Sequence, residues 1–509
     1  MAITFSSTWL GLIQQTDGNV DGDHFRFGVE IENVSKGRTE YDLVTPYLPS
    51  LVLDKYNDPA ATTAVYACNP GHCCSSFYSS FCSELENGKI TYLVMLMNNG
   101  WTGGQYSLFR VLFGAYLFVH FAQLIPWGTE LFSNQGVPPQ GTLSPVLWLF
   151  PNVLAVWDAP VFVTALLVIA AGLSLLFTIG YYDRLTAVVL WYLWACLFGR
   201  NPLIANPGLP YVGWLLLAHA CLPVAPYGSW AARNRPDPAG SWQMTPSIYT
   251  VAWILMAVGY TYCGLWKLTS PSWLDGTALI RVMENPLARP GPIRDLLLSL
   301  PDWILHLKTW GALTLEIAFA PLVLFSRLRP WIWGLMLMMH FALMSVVDFA
   351  DLSLGMVMLH LFTFNPAWIP PLVTVAPDLV FYDGHCGLCH RAVRFLLAED
   401  HTGSTFRFAP LESETFLATV PESERLTLPD SIIIRTADGE LLMRSAAVLY
   451  ALKRLGGVWR VLGTLATVVP AGIRDWVYDG IARIRHRLFR TPVEACPLVP
   501  AELRSRFKM

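Results

Sequence analysis

The sequence predicts a multi-domain membrane protein: a polytopic α-helical bundle followed by a soluble α/β domain, with a polar, strand-patterned region ahead of both. Three observations carry that prediction. The chain is 54% hydrophobic and only 14% charged over 509 residues, against about 25% charged in soluble domains. Long apolar runs recur between Gln105 and Pro371, each near the length that crosses a hydrocarbon core of about 30 Å. At Pro377 the text changes to short strand and helix patterns separated by turn residues. A net charge of -3 argues against a general nucleic-acid surface, so no nucleic-acid partner is expected. The expected domains are 1–89, 90–371 and 377–509.

Residues 1–89 alternate polar and apolar positions, as in HFRFGVEIENV, which reads as strands. They hold Cys68, Cys73, Cys74 and Cys82. The cluster CNPGHCC is irregularly spaced for a metal site, and incidental thiols or a local disulfide account for it better. The opening MAITFSSTWLGLIQQTDG has no basic segment and too short an apolar run for a secretory signal, so insertion through internal helices is expected.

Eight apolar runs then follow in order: SLFRVLFGAYLFVHFAQLI, APVFVTALLVIAAGLSLLFTIG, LTAVVLWYLWACLFG, YVGWLLLAHACLPV, SIYTVAWILMAVGYTYCGLW, TWGALTLEIAFAPLVLF, WIWGLMLMMHFALMSVV and LSLGMVMLHLFTF. With the short PVLWLFPNVLAVW they predict about eight or nine helices. Tryptophans at several run ends fit an aromatic belt. Connections holding Arg184, then Arg233 and Arg235, then Arg327 and Arg329 alternate with connections on the other side. If the basic loops face the cytoplasm, the C-terminal segment emerges there too. Arg281, Arg289 and Arg294 on an opposite connection weigh against that orientation.

Ionisable groups inside the apolar runs are His120, His219, His340, His360 and Glu316. Each is a functional candidate because burying it in hydrocarbon is costly. Each can equally be satisfied by a hydrogen bond from a neighbouring helix, the better reading for any single histidine. Lys267, in YCGLWKLTSPSWLDG, lies where a helix leaves the membrane, and snorkelling explains it.

In the C-terminal region LVFYDG reads as a buried strand and CGLCHRAVRFLLAED as a helix with Val393, Leu396 and Leu397 on one face. TFRFAPL is a second strand, and SIIIRTADGELLMRS a hairpin turning at Asp438-Gly439. Ser445 is placed to cap the helix AAVLYALKRL, which Gly456 terminates. That order of elements is what a small thioredoxin-like domain would show. Cys386 and Cys389 open the first of these helices one turn apart, close enough for a disulfide. The unpaired N–H groups and positive dipole end of the helix favour thiolate at Cys386, with His385, His390 and Arg391 adding positive character. Cys386 is thus the expected nucleophile and Cys389 the resolver, needing no cofactor. Zinc would need a second ligand pair, and none lies at usable spacing, Cys496 being alone. Asp383 either relays a proton to Cys389 or forms an Asx turn, with the turn preferred. Pro429 precedes a strand, where thioredoxin-like folds hold a cis-proline against the dithiol; a proline also commonly starts a strand. At the C-terminus ARIRHRLFR reads as a basic helix face with lipid headgroups as partner.

The motifs FYDGHCGLCHRAVRFLLAED, FAPLES, PDSIII, MRSAAVLYALKRLGG and CPL resemble the DCC family of thiol-disulfide oxidoreductases, whose Asp and two Cys are here Asp383, Cys386 and Cys389. The resemblance spans about 378–509 and implies thiol exchange with a protein or small-thiol partner. The motifs SLFRVLFGAYL, LFSNQGVPP, CGLWKLTSPSWLDG, LTLEIAFAPLVLF and MMHFALMSVVDFADLSLGM resemble the HTTM family and the membrane part of vitamin K-dependent gamma-carboxylase. That second resemblance implies a quinone as cofactor of the membrane domain and a base role for Lys267, with His340 in a matching helix; Glu316 stays a membrane-site candidate as a buried ionisable group. The carboxylase's large extramembrane part has no counterpart here. A membrane-anchored oxidoreductase is therefore the leading expectation. A quinone-linked enzyme centred on Lys267 and a redox-regulated transporter or lipid-binding module are the alternatives.

Overall fold

The computed structural model describes residues 99–489 and 501–508, apart from 138–139, 145, 148, 239–241, 349–350, 427 and 430. The strand reading of residues 1–89 and the cysteines at 68, 73, 74 and 82 lie outside the described residues, as does Cys496.

Apolar stretches with few helix breakers form helices because every backbone polar group is then satisfied within the segment. Helix α1 (Gly103–Leu124) starts where the Thr102 hydroxyl accepts the Gln105 N–H, and a short α2 (Gly128–Phe132) extends it. Proline at the first turn, where its missing N–H costs nothing, starts α3 (Pro160–Ile179) and α6 (Pro246–Lys267). Between them lie α4 (Asp183–Arg200) and α5 (Leu209–Cys221). After α6 come the short α7 (Pro271–Leu274), α8 (Ala278–Glu284) and α9 (Pro292–Leu298), then α10 (Asp302–Val323), α11 (Arg329–Val346) and α12 (Asp351–Thr363).

Three of these segments, Gly103–Phe132, Pro160–Ile179 and Pro246–Lys267, are long and apolar enough to cross a membrane. The other five of the eight long runs also fold as helices, but α5 has only 13 residues, about 20 Å, and α4 carries Asp183, Arg184 and Arg200, whereas the described residues of the short PVLWLFPNVLAVW form only a 3-10 turn at Val153–Ala155. Close packing uses glycine. A Cβ on Gly114 of α1 would meet the Thr178 hydroxyl of α3 at 2.2 Å, and one on Gly264 of α6 would meet the Ile317 backbone of α10 at 2.8 Å.

The C-terminal region builds a four-stranded mixed sheet from β1 (Asp378–Tyr382), β2 (Phe406–Pro410), β3 (Ile433–Arg435) and β4 (Leu441–Met443), in the order β2-β1-β3-β4. β1 runs parallel to β2 and antiparallel to β3, and β3–β4 is the expected hairpin, with Gly439 at φ +91° in its turn. Helix α13 (Gly387–Glu399) crosses over from β1 to β2; α14 (Glu414–Thr419) and α15 (Glu422–Arg425) link β2 to β3. Then follow α16 (Arg444–Leu455), α17 (Gly457–Ala466), α18 (Ala471–Leu488) and α19 (Ala501–Arg504). Alternation along β1 sends Val380 and Tyr382 into a core with Cys386, Cys389, Val393 and Leu397, and Phe381 into a second core with Phe416 and Ile433. Beyond β2 the C-terminal tail closes the sheet edge, the Phe408 N–H donating to the Arg506 carbonyl at 2.9 Å.

Ser445 is not the cap of α16. The helix starts two residues earlier, at Arg444 behind Met443, and the Ser445 hydroxyl instead donates to Asp475 of α18. Gly456, at φ +75°, does end it.

The helical region and the sheet domain belong to one compact unit. Their junction is polar. Glu399, the last residue of α13, accepts hydrogen bonds from the Gly104 N–H at 2.8 Å, the Thr102 hydroxyl and the Trp459 indole N–H. Its carboxylate thus sits on the open N–H groups at the start of α1, where negative charge is favoured, although burial pushes its pKa up. The Gln105 side chain accepts from the Val458 N–H at 2.9 Å, and the Arg394 guanidinium donates to the carbonyls of Arg235 and Pro236. Replacing Glu399 with Ala leaves three buried donors unmatched, at roughly 1–3 kcal/mol each. We expect a lower melting temperature and faster proteolysis at the exposed linker around Val373 and Val375; wild-type cleavage rates would show that the junction contributes little.

Candidate active site

The loop after β1 aims its chain at the start of α13. Asp383 shapes it: Oδ1 accepts the His385 N–H at 2.8 Å, an Asx turn, and its carbonyl accepts the Cys386 N–H at 3.3 Å. Cys386 then occupies the N-cap in extended conformation (φ -96°, ψ 117°), and its Sγ accepts the Cys389 N–H at 3.5 Å. A sulfur stands where a serine or aspartate oxygen usually caps a helix. Cys389 follows in the first turn, and both cysteines are free thiols. His390 ties the turn back through a 2.8 Å contact between Nε2 and the Gly384 carbonyl.

Both sulfur-bearing residues are buried, Cys386 fully and Cys389 at 5% exposure. Part of the cover is α18. Arg485, 2% exposed, points inward and pairs with Asp383 Oδ2 at 3.4 Å, and the Tyr478 hydroxyl accepts the Ile432 N–H at 3.1 Å. The Arg391 guanidinium lies 4.8 Å over the Phe489 ring just beyond α18. Arg485 and Tyr478 were not legible as site residues: the basic run that contains Arg485 reads as a uniform lipid-facing surface. The inward turn of that one arginine is a tertiary fact.

Of the other expected residues, His385 is exposed, 4.0 Å from the equally exposed Glu412 carboxylate. Pro429 is half-buried ahead of β3, and its peptide bond is trans, since the described residues contain no cis bond. The expected cis-proline is therefore corrected. A trans bond suffices for the starter role that proline commonly plays before a strand.

The membrane candidates lie apart from the dithiol, on α6, α10, α11 and α12. Lys267 Nζ reaches both Glu316 oxygens at 2.6 Å and lies 4.4 Å over Trp273. His340 contacts the Tyr260 hydroxyl at 2.6 Å and Ser353 at 3.3 Å, and His360 holds the Met356 carbonyl at 2.9 Å. His219 meets the Tyr106 hydroxyl at 2.7 Å and Asp183 at 3.7 Å, while His120 packs against Trp194 with ring centroids 4.6 Å apart. Tyr106, Asp183 and Tyr260 complete these clusters and went unmarked because tyrosine and helix-end aspartate are ordinary in such runs. Among the described residues no group of three or more His, Cys, Asp or Glu is disposed to hold a metal ion.

A dithiol at the head of the helix that follows the first strand of a mixed sheet defines a thiol-exchange class of site. The family model for DCC1-like thiol-disulfide oxidoreductases matches residues 380–491. The uncharacterized protein YuxK of Bacillus subtilis is 32% identical over 129 residues, which cover 25% of this chain and 92% of that protein. A chloroplastic DCC family protein of Arabidopsis thaliana is 27% identical over 111 residues, 22% of this chain and 64% of that protein, so under two thirds of its length is matched. Through this C-terminal domain the chain belongs to the DCC1-like thiol-disulfide oxidoreductase family. No solved structure matches it.

Burial, then the neighbouring Cys386 sulfur, pushes the Cys389 thiol up to about 12, with the Arg485 guanidinium acting against the rise. In the unfolded chain the same thiol titrates near about 8.5. Because the folded value is the higher one, the stabilisation from keeping Cys389 protonated is full below about pH 8.5 and is lost as pH rises toward 12. Urea-unfolding midpoints of the reduced protein across an alkaline series should show that loss, and C389A should remove it. Identical pH slopes for the two proteins would refute the assignment.

Proposed function

We propose that the protein is a membrane-anchored thiol-disulfide oxidoreductase of thioredoxin-like fold, with Cys386 as nucleophile and Cys389 as resolving thiol. The observation that carries this reading is the Cys386 sulfur at the N-cap of α13, facing the Cys389 N–H. Negative charge is favoured at that helix end, whereas burial keeps Cys389 protonated, so the two thiols divide the roles. As a reductant, the Cys386 thiolate attacks a partner disulfide, forming a mixed disulfide and releasing one partner thiolate. Cys389 then gives up its proton and attacks Cys386 Sγ. A Cys386–Cys389 disulfide forms and the second partner thiolate leaves, so the partner gains two electrons. As an oxidant the same steps run in reverse.

The three long apolar helices support a multi-pass anchor, and this reading extends them to a bundle of about eight or nine spans. The sheet domain docks at the end of the bundle where Arg184, Arg233 and Arg235 lie, which supports a cytoplasmic position for the dithiol. Cys386→Ser should abolish turnover of a model disulfide, and Cys389→Ser should accumulate the mixed disulfide, both read by gel shift and mass spectrometry. Undiminished turnover in C386S would sink this reading.

A second reading is favoured by the Lys267–Glu316 pair and the adjoining Tyr260, His340 and His360 cluster, a polar island within apolar helices. It makes the membrane part a quinone-linked, carboxylase-like enzyme supplied with electrons by the dithiol. Reconstituted protein should then consume a hydroquinone, and K267A should stop it; a protein that neither binds nor consumes hydroquinone removes this alternative.

A further inference from the structure

Helix α18 has two working faces, only one of which belongs to the dithiol. Its inner side carries Tyr478 and Arg485, together with Asp475, which accepts from Ser445, and Asp479, which pairs with Arg444 at 3.3 Å. Both acids of the helix are therefore engaged within the domain. On the opposite side Ile473, Trp476, Val477, Ile481 and Ile484 recur at spacings of three and four, and all are exposed, Trp476 at 69%. Gly480 lies inside this stripe, and a Cβ built on it would meet nothing within 4 Å. Arg474 borders the stripe on one side and Arg483 on the other, and Arg487 falls within its arc one turn past Ile484. The apolar surface continues through the preceding turn, where Val468 is 82% exposed.

We propose that α18 is an interfacial helix whose outer face lies on the anionic surface of the same bilayer that α1, α3 and α6 cross; this rests on the reading of those helices as spans. An apolar stripe with tryptophan, flanked by arginines and with its acids turned away, is the composition that buries shallowly among acyl chains while its cations meet phosphate. The position agrees. Helix α17, joined to α18 by a short turn, begins against the first turn of α1 and the turn after α12, with the Gly457 N–H donating to the Ile369 carbonyl at 2.8 Å and the Val458 N–H to Gln105. These are helix ends, where headgroups begin. Lipid contact and dithiol cover thus share one rigid element.

The test uses the full chain in lipid nanodiscs made of phosphatidylcholine alone or mixed with phosphatidylglycerol. A photoreactive benzoylphenylalanine replaces Val477, or, as a control for the spanning reading, the exposed Ile169 of α3. Mass spectrometry should find lipid adducts at both positions, those at 477 rising with phosphatidylglycerol. R474Q and R483Q should each reduce the adducts at 477 roughly fivefold, the weight of one basic side chain at an anionic surface, and leave those at 169 unchanged. Protein adducts at 477, to a second copy or to another part of the chain, or no lipid adduct there while 169 labels lipid, overturn the docking. Absence of lipid adducts at 169 overturns the spanning reading, and the docking with it.

Discussion

The helix Gly387–Glu399 is the constraint on which the rest depends, because its two ends perform the two tasks of the C-terminal domain. At its start the backbone N–H groups that no helical carbonyl can reach are turned toward the Cys386 sulfur. At its finish, about 20 Å away, Glu399 reaches the equally unsatisfied N–H groups that open helix α1. One rigid element therefore fixes both the chemistry of the dithiol and the attachment of its domain to the apolar helices. A change in its length or register would disturb both together.

Burial sets the character of the dithiol. Each sulfur is packed among Val380, Tyr382, Val393 and Leu397, and the α18 residues Tyr478 and Arg485 close over the site. Low polarity penalises charge, and burial holds the Cys389 thiol in its neutral form. Arg485 partly offsets it while holding Asp383, so the loop that positions Cys386 and the charge near Cys389 are tied to one guanidinium. The same dry surroundings make the buried ion pairs of the domain matter. Arg454 joins Asp378 at 2.6 Å and reaches back to the Leu372 carbonyl and Thr374, which fixes the linker from the apolar helices to the first strand.

Within the helical region several buried polar side chains gather into hydrogen-bonded clusters. Tyr106, His219 and Asp183 form one, Tyr260, His340, His360 and Ser353 another, and Lys267 with Glu316 a third. In an apolar surrounding each such group must find its partner on a neighbouring helix, so these clusters also register the helices against one another.

Local patterns determined a good deal. Apolar runs with proline at their starts specified helices, the alternation of β1 specified a buried strand, Asp438-Gly439 specified the hairpin, and a cysteine pair after a strand specified a dithiol at a helix start. Each of these depends on contacts a few residues apart, which spacing encodes directly. Tertiary structure alone decided that Ser445 bonds to Asp475 instead of capping its helix, and that Arg485 turns inward while Arg483 faces out. It also decided that the carboxylate of Glu399 anchors the domain. These outcomes join residues from about 30 to nearly 300 positions apart; composition and periodicity describe one segment at a time, and only packing determines which segments meet.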